Sequence, residues 1–242
     1  GKLNQDPRRK LKQVYHLYQF IEPLLSESGT LVDHGAGKSY LGFILYDLFY
    51  KSRPAGHVYG IESRAELVEK SRALAKRLGF GRMGFLPLTV AQAMDSEEIP
   101  ESVDVVTALH ACDTATDDAI SFGLARNARH MVLVPCCQAE VAALLRQSKG
   151  ASLAGNVWTE VWRHPLHTRE FGSHVTNVLR ALWLEAHGYQ VRVTELVGWE
   201  HSMKNELIIA TYKDLPRRHP RERLEALLEQ LGLTQLRARY IP

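Results

Sequence analysis

The apolar positions of the chain follow two rhythms. Between Pro7 and Leu25, Val14, Leu17, Tyr18, Ile21, Leu24 and Leu25 recur at helical spacing, which predicts a helix with Pro7 in its first turn and Gly29 closing the segment. A short apolar run, Thr30 to Asp33, then enters the turn His34-Gly35-Ala36-Gly37-Lys38, and Tyr40 to Tyr50 returns to helical spacing. His57 to Glu62 reads as a second strand and Arg64 to Leu78 as a helix stopped by Gly79. Met83 to Val90 reads as a third strand made irregular by Pro87, and Val103 to Leu109 as a fourth. A helix over Asp117 to Asn127, a fifth strand over His130 to Val134 ending at Pro135, and a helix over Gln138 to Arg146 continue the alternation.

Strand and helix in strict alternation predict a parallel sheet with helices on both faces, because each crossover between parallel strands is right-handed and carries a helix. The pattern weakens after Lys149. Ala151 to Phe171 has no clean period and reads as a loop or small insertion, 151–172, over the open end of the sheet. Ser173 to His187 is expected to be helical up to Gly188, and Arg221 to Leu231 forms a last amphipathic helix. Between them, Gln190 to Leu196 and Glu206 to Tyr212 are joined by a connection short enough to favour an antiparallel hairpin. The expected fold is therefore α/β and Rossmann-like, a mostly parallel seven-stranded sheet with a C-terminal antiparallel hairpin. The expected organisation is a single domain over 1–242, with a basic N-terminal helix in 1–29 and a C-terminal helix in 215–242.

Composition narrows the class without changing the fold. The 242 residues are 45% hydrophobic and 24% charged, an ordinary globular balance with enough apolar side chains for a sizeable core. No run of 18 apolar residues occurs, so no membrane span is expected. Gly1 to Lys12 is polar and basic, lacks an initiator Met and lacks the apolar stretch of a secretion signal. Three cysteines, with Cys136 and Cys137 adjacent, make no disulfide framework, and the expected compartment is the cytoplasm. The net charge of +3 is mild but uneven, with Arg8, Arg9, Lys10 and Lys12 at the front and Arg217, Arg218, Arg221 and Arg223 near the back. Such runs suit solvated helix faces or a nucleic-acid footprint.

The sharpest chemical signal is Leu31-Val32-Asp33-His34-Gly35-Ala36-Gly37-Lys38. A strand that ends in a glycine turn before a helix lets backbone approach a ligand closely. An acidic residue, Glu62, ends the next strand 25 positions after Gly37, where a carboxylate can accept both hydroxyls of a ribose. A dinucleotide site asks for a third glycine where Tyr40 stands, and its pyrophosphate would be repelled by Asp33. The cationic sulfonium and amino group of S-adenosylmethionine suit Asp33 better, so that cofactor is expected. GxxxxGK[ST] is not matched, which argues against a phosphate loop.

Asp33-His34-Gly35-Ala36-Gly37-Lys38-Ser39-Tyr40-Leu41 resembles the D-x-G-x-G-K-G-Y-L start of a class I methyltransferase group, methyltransferase domain family 32. That group is similar to the catalytic domain of a tRNA ribose 2′-O-methyltransferase. Leu109-His110-Ala111-Cys112-Asp113-Thr114-Ala115-Thr116-Asp117, Pro135-Cys136-Cys137-Gln138 and His201-Ser202-Met203-Lys204-Asn205-Glu206-Leu207 match further stretches in order, so the resemblance covers roughly residues 10–212. His34 and Ser39 depart from the pattern, and His34 is positioned to alter the charge of the site. The resemblance implies that Asp33, Gly35 and Gly37 line the methionine part, Glu62 the ribose, and the loop Thr89 to Ala93 the adenine, with Gln92 replacing a missing acid. With His34, Ala36, Tyr40, Ser63, Leu109 and His110, these make the expected cofactor set.

Methyl transfer from a sulfonium needs little help for the leaving group, so the protein mainly aligns the acceptor and, where needed, removes its proton. His34, His110, Cys112, Asp113, Cys136 and Cys137 are delivered by three strand ends to one edge. Asp113 or His110 can orient or deprotonate an acceptor with Lys204 nearby; a cysteine such as Cys136 can attack C6 of a pyrimidine; or the cysteines are structural. No CxxC pair supports zinc, and no metal is expected. The Asn/Asp-Pro-Pro-aromatic turn of base-amine methyltransferases is replaced by His110-Ala111-Cys112-Asp113, which disfavours exocyclic amines. RNA, either rRNA or tRNA, is the expected acceptor, with DNA and membrane not expected. Arg8, Arg9, Lys10, Arg163, Arg169, Arg217 and Arg218 are its candidate cations, and Trp158, Trp162 and Phe171 its candidate stacking rings. A small molecule or protein side chain, and a non-catalytic binding protein, are the alternatives; a nicotinamide oxidoreductase is disfavoured by Tyr40 and the hairpin.

Overall fold

In the computed structural model, residues 14–25, 29–136, 138–147, 160, 163–196, 206–214 and 219–241 are described, with only the backbone at His110 and Ala111. Seven strands form one sheet in the order β3-β2-β1-β4-β5-β7-β6, with β1 Thr30–His34, β2 His57–Ile61, β3 Met83–Leu86, β4 Val105–Ala111, β5 His130–Pro135, β6 Tyr189–Glu195 and β7 Glu206–Tyr212. β1 to β5 pair in parallel, and β7 enters between β5 and β6 antiparallel to both. The expected C-terminal hairpin is therefore present, and because β7 reverses direction, β6 runs parallel with the first five strands.

Helix α1 covers 14–21 of the described residues, followed by a short 3-10 turn, Glu22–Leu24. α2 (Tyr40–Leu45) runs on through a π turn, Tyr46–Tyr50, and α3 spans Ala65–Leu78. α4 is Val90–Met94, α5 Ala115–Ala125, α6 Glu140–Gln147, α7 Pro165–Ala186, α8 Pro220–Gln230 and α9 Arg237–Tyr240. α1, α2 and α3 cover one face of the sheet, meeting Leu31, Val58, Val105, Val132 and Val134 in one apolar core. α5 to α9 cover the other, where Val32, Val106, Met131, Leu133 and Ile208 point. Adjacent strand residues thus feed opposite cores, as the pleat requires.

Two boundaries differ from the sequence reading. β3 stops at Leu86, not Val90: Pro87 lacks the N–H that the ladder needs, and Thr89 instead caps α4. There the Thr89 side chain accepts from the Gln92 backbone while the Gln92 side chain accepts from the Thr89 N–H at 2.9 Å, a reciprocal capping box. α7 begins at Pro165, not Ser173, so Pro165 to Gly172 is helix rather than loop. That first stretch was hard to read because Gly172 sits in it, and the glycine is there for packing: a Cβ on Gly172 would lie 2.7 Å from the Ala142 backbone nitrogen on α6. Of the remainder of the expected insertion, 151–159, 161 and 162 lie outside the described residues. No helix among the described residues is long and apolar enough to cross a membrane.

Candidate functional site

The strand order places a switch point between β1 and β4: the chain winds outward through β2 and β3, then returns to the other side of β1. Helices leave the carboxyl ends of these strands in opposite directions there, which opens a crevice suited to ligands. A cleft of about 440 Å³ occupies this position, lined by His34 and Gly35 from β1, Ile61 to Arg64 from β2, Leu88 to Val90 after β3, and Cys112 and Ala115 after β4. A larger hollow of about 660 Å³ lies elsewhere, between residues 94–101 and the end of α5. Its buried cation, Arg126, is engaged by the carbonyls of Ala93, Met94, Ser96, Ile99 and Pro100.

The cleft floor is backbone. Gly35 and Gly37 both take left-handed conformations, with φ of 68° and 58°, and a Cβ on Gly35 would meet nothing within 4 Å but would strain the turn. The Ala36 N–H donates to the Ile61 carbonyl at 2.9 Å, tying the turn to β2. The Gly37 N–H donates to Glu62 Oε2, also at 2.9 Å. Glu62 stands where the sequence placed an acidic strand tip, and both its oxygens are in use. Oε1 accepts from the Arg64 N–H at 3.0 Å and Nε at 2.9 Å, while Oε2 also accepts from Arg64 Nη2 at 3.1 Å. The Arg64 guanidinium beside it, helped by these two backbone donors, holds the Glu62 carboxyl down at about 2. Glu62 is therefore a firmly ionised acceptor of two pairs of donors. Arg64, whose side chain is 62% exposed, grips both oxygens from the solvent side and was not singled out in the sequence.

Asp33 and His34, both expected at the cofactor, take opposite faces of β1. Asp33 shares the face of Leu31 and points beneath the turn, where Thr107 Oγ1–H donates to it at 3.0 Å and Ser39 Oγ–H at 3.4 Å. Its carboxylate does not line the cleft, which corrects the expectation that it faces a cationic ligand. Burial pushes its carboxyl up to about 6. His34 shares the face of Val32, packs against Phe122 with ring centroids 5.4 Å apart, and lines the cleft. Burial lowers His34 to about 4, so the ring is neutral at physiological pH and adds no charge to the site. Its Nε2 is buried and has no hydrogen-bond partner among the described residues.

Of the remaining predicted donor residues, Ser63 lines the cleft beside Glu62. Tyr40 projects from the start of α2, is 51% exposed and stays out of the lining. Ala36 ties the turn to β2 through its backbone, Leu109 packs partly buried against the core that includes Leu31 and Val105, and Gln92 is held by its capping box, leaving Leu88, Thr89 and Val90 as the wall after β3. Leu88 and Ala115 had no sequence signal beyond being apolar next to a strand end.

On the β4 side, the β4–β5 register shifts between Leu109 and Ala111, a bulge of the kind that re-aims a strand end. Asp113 follows with φ of 49°, and its carboxylate accepts from the Ala139 N–H at 3.3 Å, just before α6. Arg180 of α7, fully buried, braces this turn. Its Nη2 donates to the Asp113 carbonyl at 2.7 Å, its Nη1 to Asn177 at 3.1 Å and its Nε to Asp117 at 2.6 Å. Asp117 also accepts from Tyr240 and Arg239. An arginine at the same helical register as core residues Thr176, Trp183 and Leu184 was the available signal for this network. Cys112 and Cys136 bring their sulfurs to 3.0 Å. Lys204 and Cys137, and the side chain of His110, lie outside the described residues.

The profile of the methyltransferase domain family matches residues 9–144, which include the glycine turn, Glu62, Cys112, Asp113 and Cys136. No curated protein matches the sequence. Among solved structures, the chain is similar to magnesium protoporphyrin IX methyltransferase from Synechocystis PCC 6803 with bound S-adenosylhomocysteine, at TM-score 0.54 and 15% identity, over 88% of this chain and 89% of that one. It is also similar to M. capricolum TrmK in complex with S-adenosylhomocysteine, at TM-score 0.51 and 12% identity, over 87% of this chain and 74% of that one. At such identities the likeness is one of fold. The glycine turn, the two-acceptor carboxylate at the tip of β2 and the parallel sheet with its reversed β7 fit S-adenosylmethionine. The chain belongs to the methyltransferase domain family and is an S-adenosylmethionine-dependent methyltransferase.

Proposed function

We propose that the cleft at the tips of β1 to β4 is the methyl-donor site, that the acceptor is RNA, and that the chain works as one catalytic domain. Glu62 carries the donor assignment: a buried, ionised side chain with two acceptor oxygens suits a vicinal diol, the feature that distinguishes a ribose. When bound, S-adenosylmethionine supplies an electrophilic methyl group. Gly35 and Gly37 offer backbone to its amino-acid tail, and Leu88, Thr89 and Val90 offer a wall against which an adenine ring can lie. Neutral His34 excludes water at the closed side without adding a second positive charge. Arg64 must release the Glu62 oxygens for the diol to take them.

Acceptor chemistry is assigned to the β4 side. Cys112 lines the cleft, and the next residue, Asp113, is fixed by Arg180 and by the Ala139 N–H. Asp113 lies beside the lining residue Cys112 and not in the lining itself, so it is assigned proton removal from an acceptor hydroxyl that approaches over the β4 turn. His110 and Lys204 are assigned supporting roles from the sequence, and the Cys136 sulfur lies 3.0 Å from that of Cys112. The RNA assignment is supported by the uneven basic clusters at residues 8–12 and 217–223 and by the motif likeness to RNA ribose methylation. Of the other candidate RNA contacts, Arg163 and Arg169 are exposed and pair with Glu160 and Glu170, while Phe171 packs partly into the core.

Transfer of radiolabelled methyl groups to total RNA, total protein and a small-molecule extract tests the proposal directly. Label is expected in RNA and is expected to fall steeply as salt rises from about 50 to about 200 mM. Label confined to protein or small molecules would overturn the RNA assignment. Asp113→Asn is expected to keep S-adenosylhomocysteine binding, since an amide oxygen still accepts from Ala139, and to slow transfer; unchanged transfer would remove Asp113 from proton transfer.

A further inference from the structure

We propose that Cys112 and Cys136 form a reversible thiol–disulfide modification site on the β4–β5 wall of the cleft. The two residues follow Ala111 and Pro135, which are register partners on adjacent parallel strands. Neighbouring strands lie about 4.8 Å apart, inside the Cα separation that a disulfide spans. Their sulfurs stand 3.0 Å apart, so the bridge requires an approach of about 1 Å and no rearrangement of the sheet. Accessibility is graded: Cys112 is exposed and lines the cleft, whereas Cys136 is half-buried behind it. This is the arrangement of an attacking and a resolving thiol.

The oxidant class is a hydroperoxide. The Cys112 thiolate attacks one peroxide oxygen, the O–O bond breaks, and the leaving hydroxide takes the thiol proton as water, giving a sulfenic acid. The Cys136 thiolate then attacks the Cys112 sulfur; the S–S bond forms, the S–O bond breaks, and the second hydroxide leaves as water with the Cys136 proton. In sum, two thiols and one hydrogen peroxide give one disulfide and two water molecules. The bridge withdraws the Cys112 thiol from the cleft wall and ties the β4 turn to the β5 turn. Glu62 and Leu88 to Val90 stand on the far side of β1 and are not displaced, so bridging acts on the acceptor side. This last point rests on the donor assignment above.

The full chain is treated with hydrogen peroxide, alkylated and mapped by mass spectrometry, alongside Cys112→Ser, Cys136→Ser and Cys137→Ser. A Cys112–Cys136 cross-linked peptide lighter by two hydrogens is expected in wild type and Cys137→Ser. It should be absent from the other two variants and reversed by dithiothreitol. Cys112 that stays alkylatable after peroxide, a Cys112–Cys137 bridge that persists in Cys136→Ser, or bridges only between chains would overturn the proposal. Calorimetry with S-adenosylhomocysteine is expected to give the same affinity, within about threefold, before and after bridging. Loss of binding only on oxidation would overturn the acceptor-side placement. Reduced protein that binds no S-adenosylhomocysteine would refute the donor assignment while leaving the cross-link result intact.

Discussion

Replacing Glu62 by Gln separates a structural carboxylate from a ligand-binding one. The Gly37 N–H donates to one oxygen and the Arg64 N–H to the other, so both atoms of the group must accept. An amide has one oxygen; whichever way it turns, its NH₂ faces a backbone donor. One turn N–H is left unsatisfied, at a cost of about 1–3 kcal/mol, and at roughly 2–4 °C per kcal/mol for a chain of this size the melting temperature should fall by several degrees. The variant also loses one acceptor for the ribose diol, which at about 1–3 kcal/mol weakens S-adenosylhomocysteine binding roughly 5- to 150-fold. Calorimetric titration and thermal unfolding at neutral pH read the two effects independently. A lowered melting temperature with affinity within twofold of wild type would refute the reasoning, because Glu62 would then only brace the glycine turn. The pH dependence carries the same sign. The folded carboxyl sits at about 2 against 4.5 in the free side chain, so its contribution is present above pH 4.5 and is lost as pH falls toward 2. The gap corresponds to about 3 kcal/mol by linkage, reduced to about 1–2 kcal/mol because the partner guanidinium lies largely in solvent.

Asp33 and His34 oppose one another on acidification. Asp33, raised from 3.8 to about 6, contributes stability that is full below pH 3.8 and lost as pH climbs through 6; His34, lowered from 6.5 to about 4, contributes stability present above 6.5 and lost as pH falls through 4. Wild-type stability should therefore vary little between pH 6 and 4, and Asp33→Asn should unmask a loss on acidification across that window, by roughly 2 kcal/mol in denaturant titrations. His34→Leu should do the reverse, gaining stability on acidification over the same range, and a flat profile in both variants would contradict the burial assigned to this pair. Gly172→Ala forces a methyl to within 2.7–2.8 Å of Ala142 on α6 and should destabilise by about 1–3 kcal/mol in chemical unfolding; a neutral result would mean that α6 and α7 separate freely.

The order of elements was legible because it rests on periodicity and punctuation. Gly79 ends α3, Gly188 ends the turn after α7, and the short link between β6 and β7 forced them antiparallel. What the chain concealed was anything decided by a partner distant in sequence. Pro165 to Gly172 carries a glycine that a helix tolerates poorly, and only the backbone of Ala142 across the interface explains it. Arg180 looked like one more cation until Asp117, Asn177 and the Asp113 carbonyl closed around it. Cys112 and Cys136 lie 24 positions apart and meet only because β4 and β5 are register partners.

The misplacement of Asp33 has the most general cause. A strand with one wet face declares its orientation by alternating polar and apolar residues, and the side that each terminal residue takes can be counted back from that pattern. β1 is covered on both faces, so Leu31 and Val32 are equally apolar and supply no parity. Asp33 and His34 then offer two polar side chains, of which the pleat can present only one to the cleft. Both are expected at the cofactor from sequence; burial separates them, because Thr107 and Ser39 offer hydroxyl donors on one side and Phe122 offers an aromatic face on the other. A carboxylate goes where donors are and an uncharged imidazole can lie against a ring, so the partners from β4, α2 and α5 fix the parity that β1 leaves open. Glu62 escaped this ambiguity because the consecutive residues Ile61 to Arg64 all line the cleft, so the tip of β2 required no choice of face.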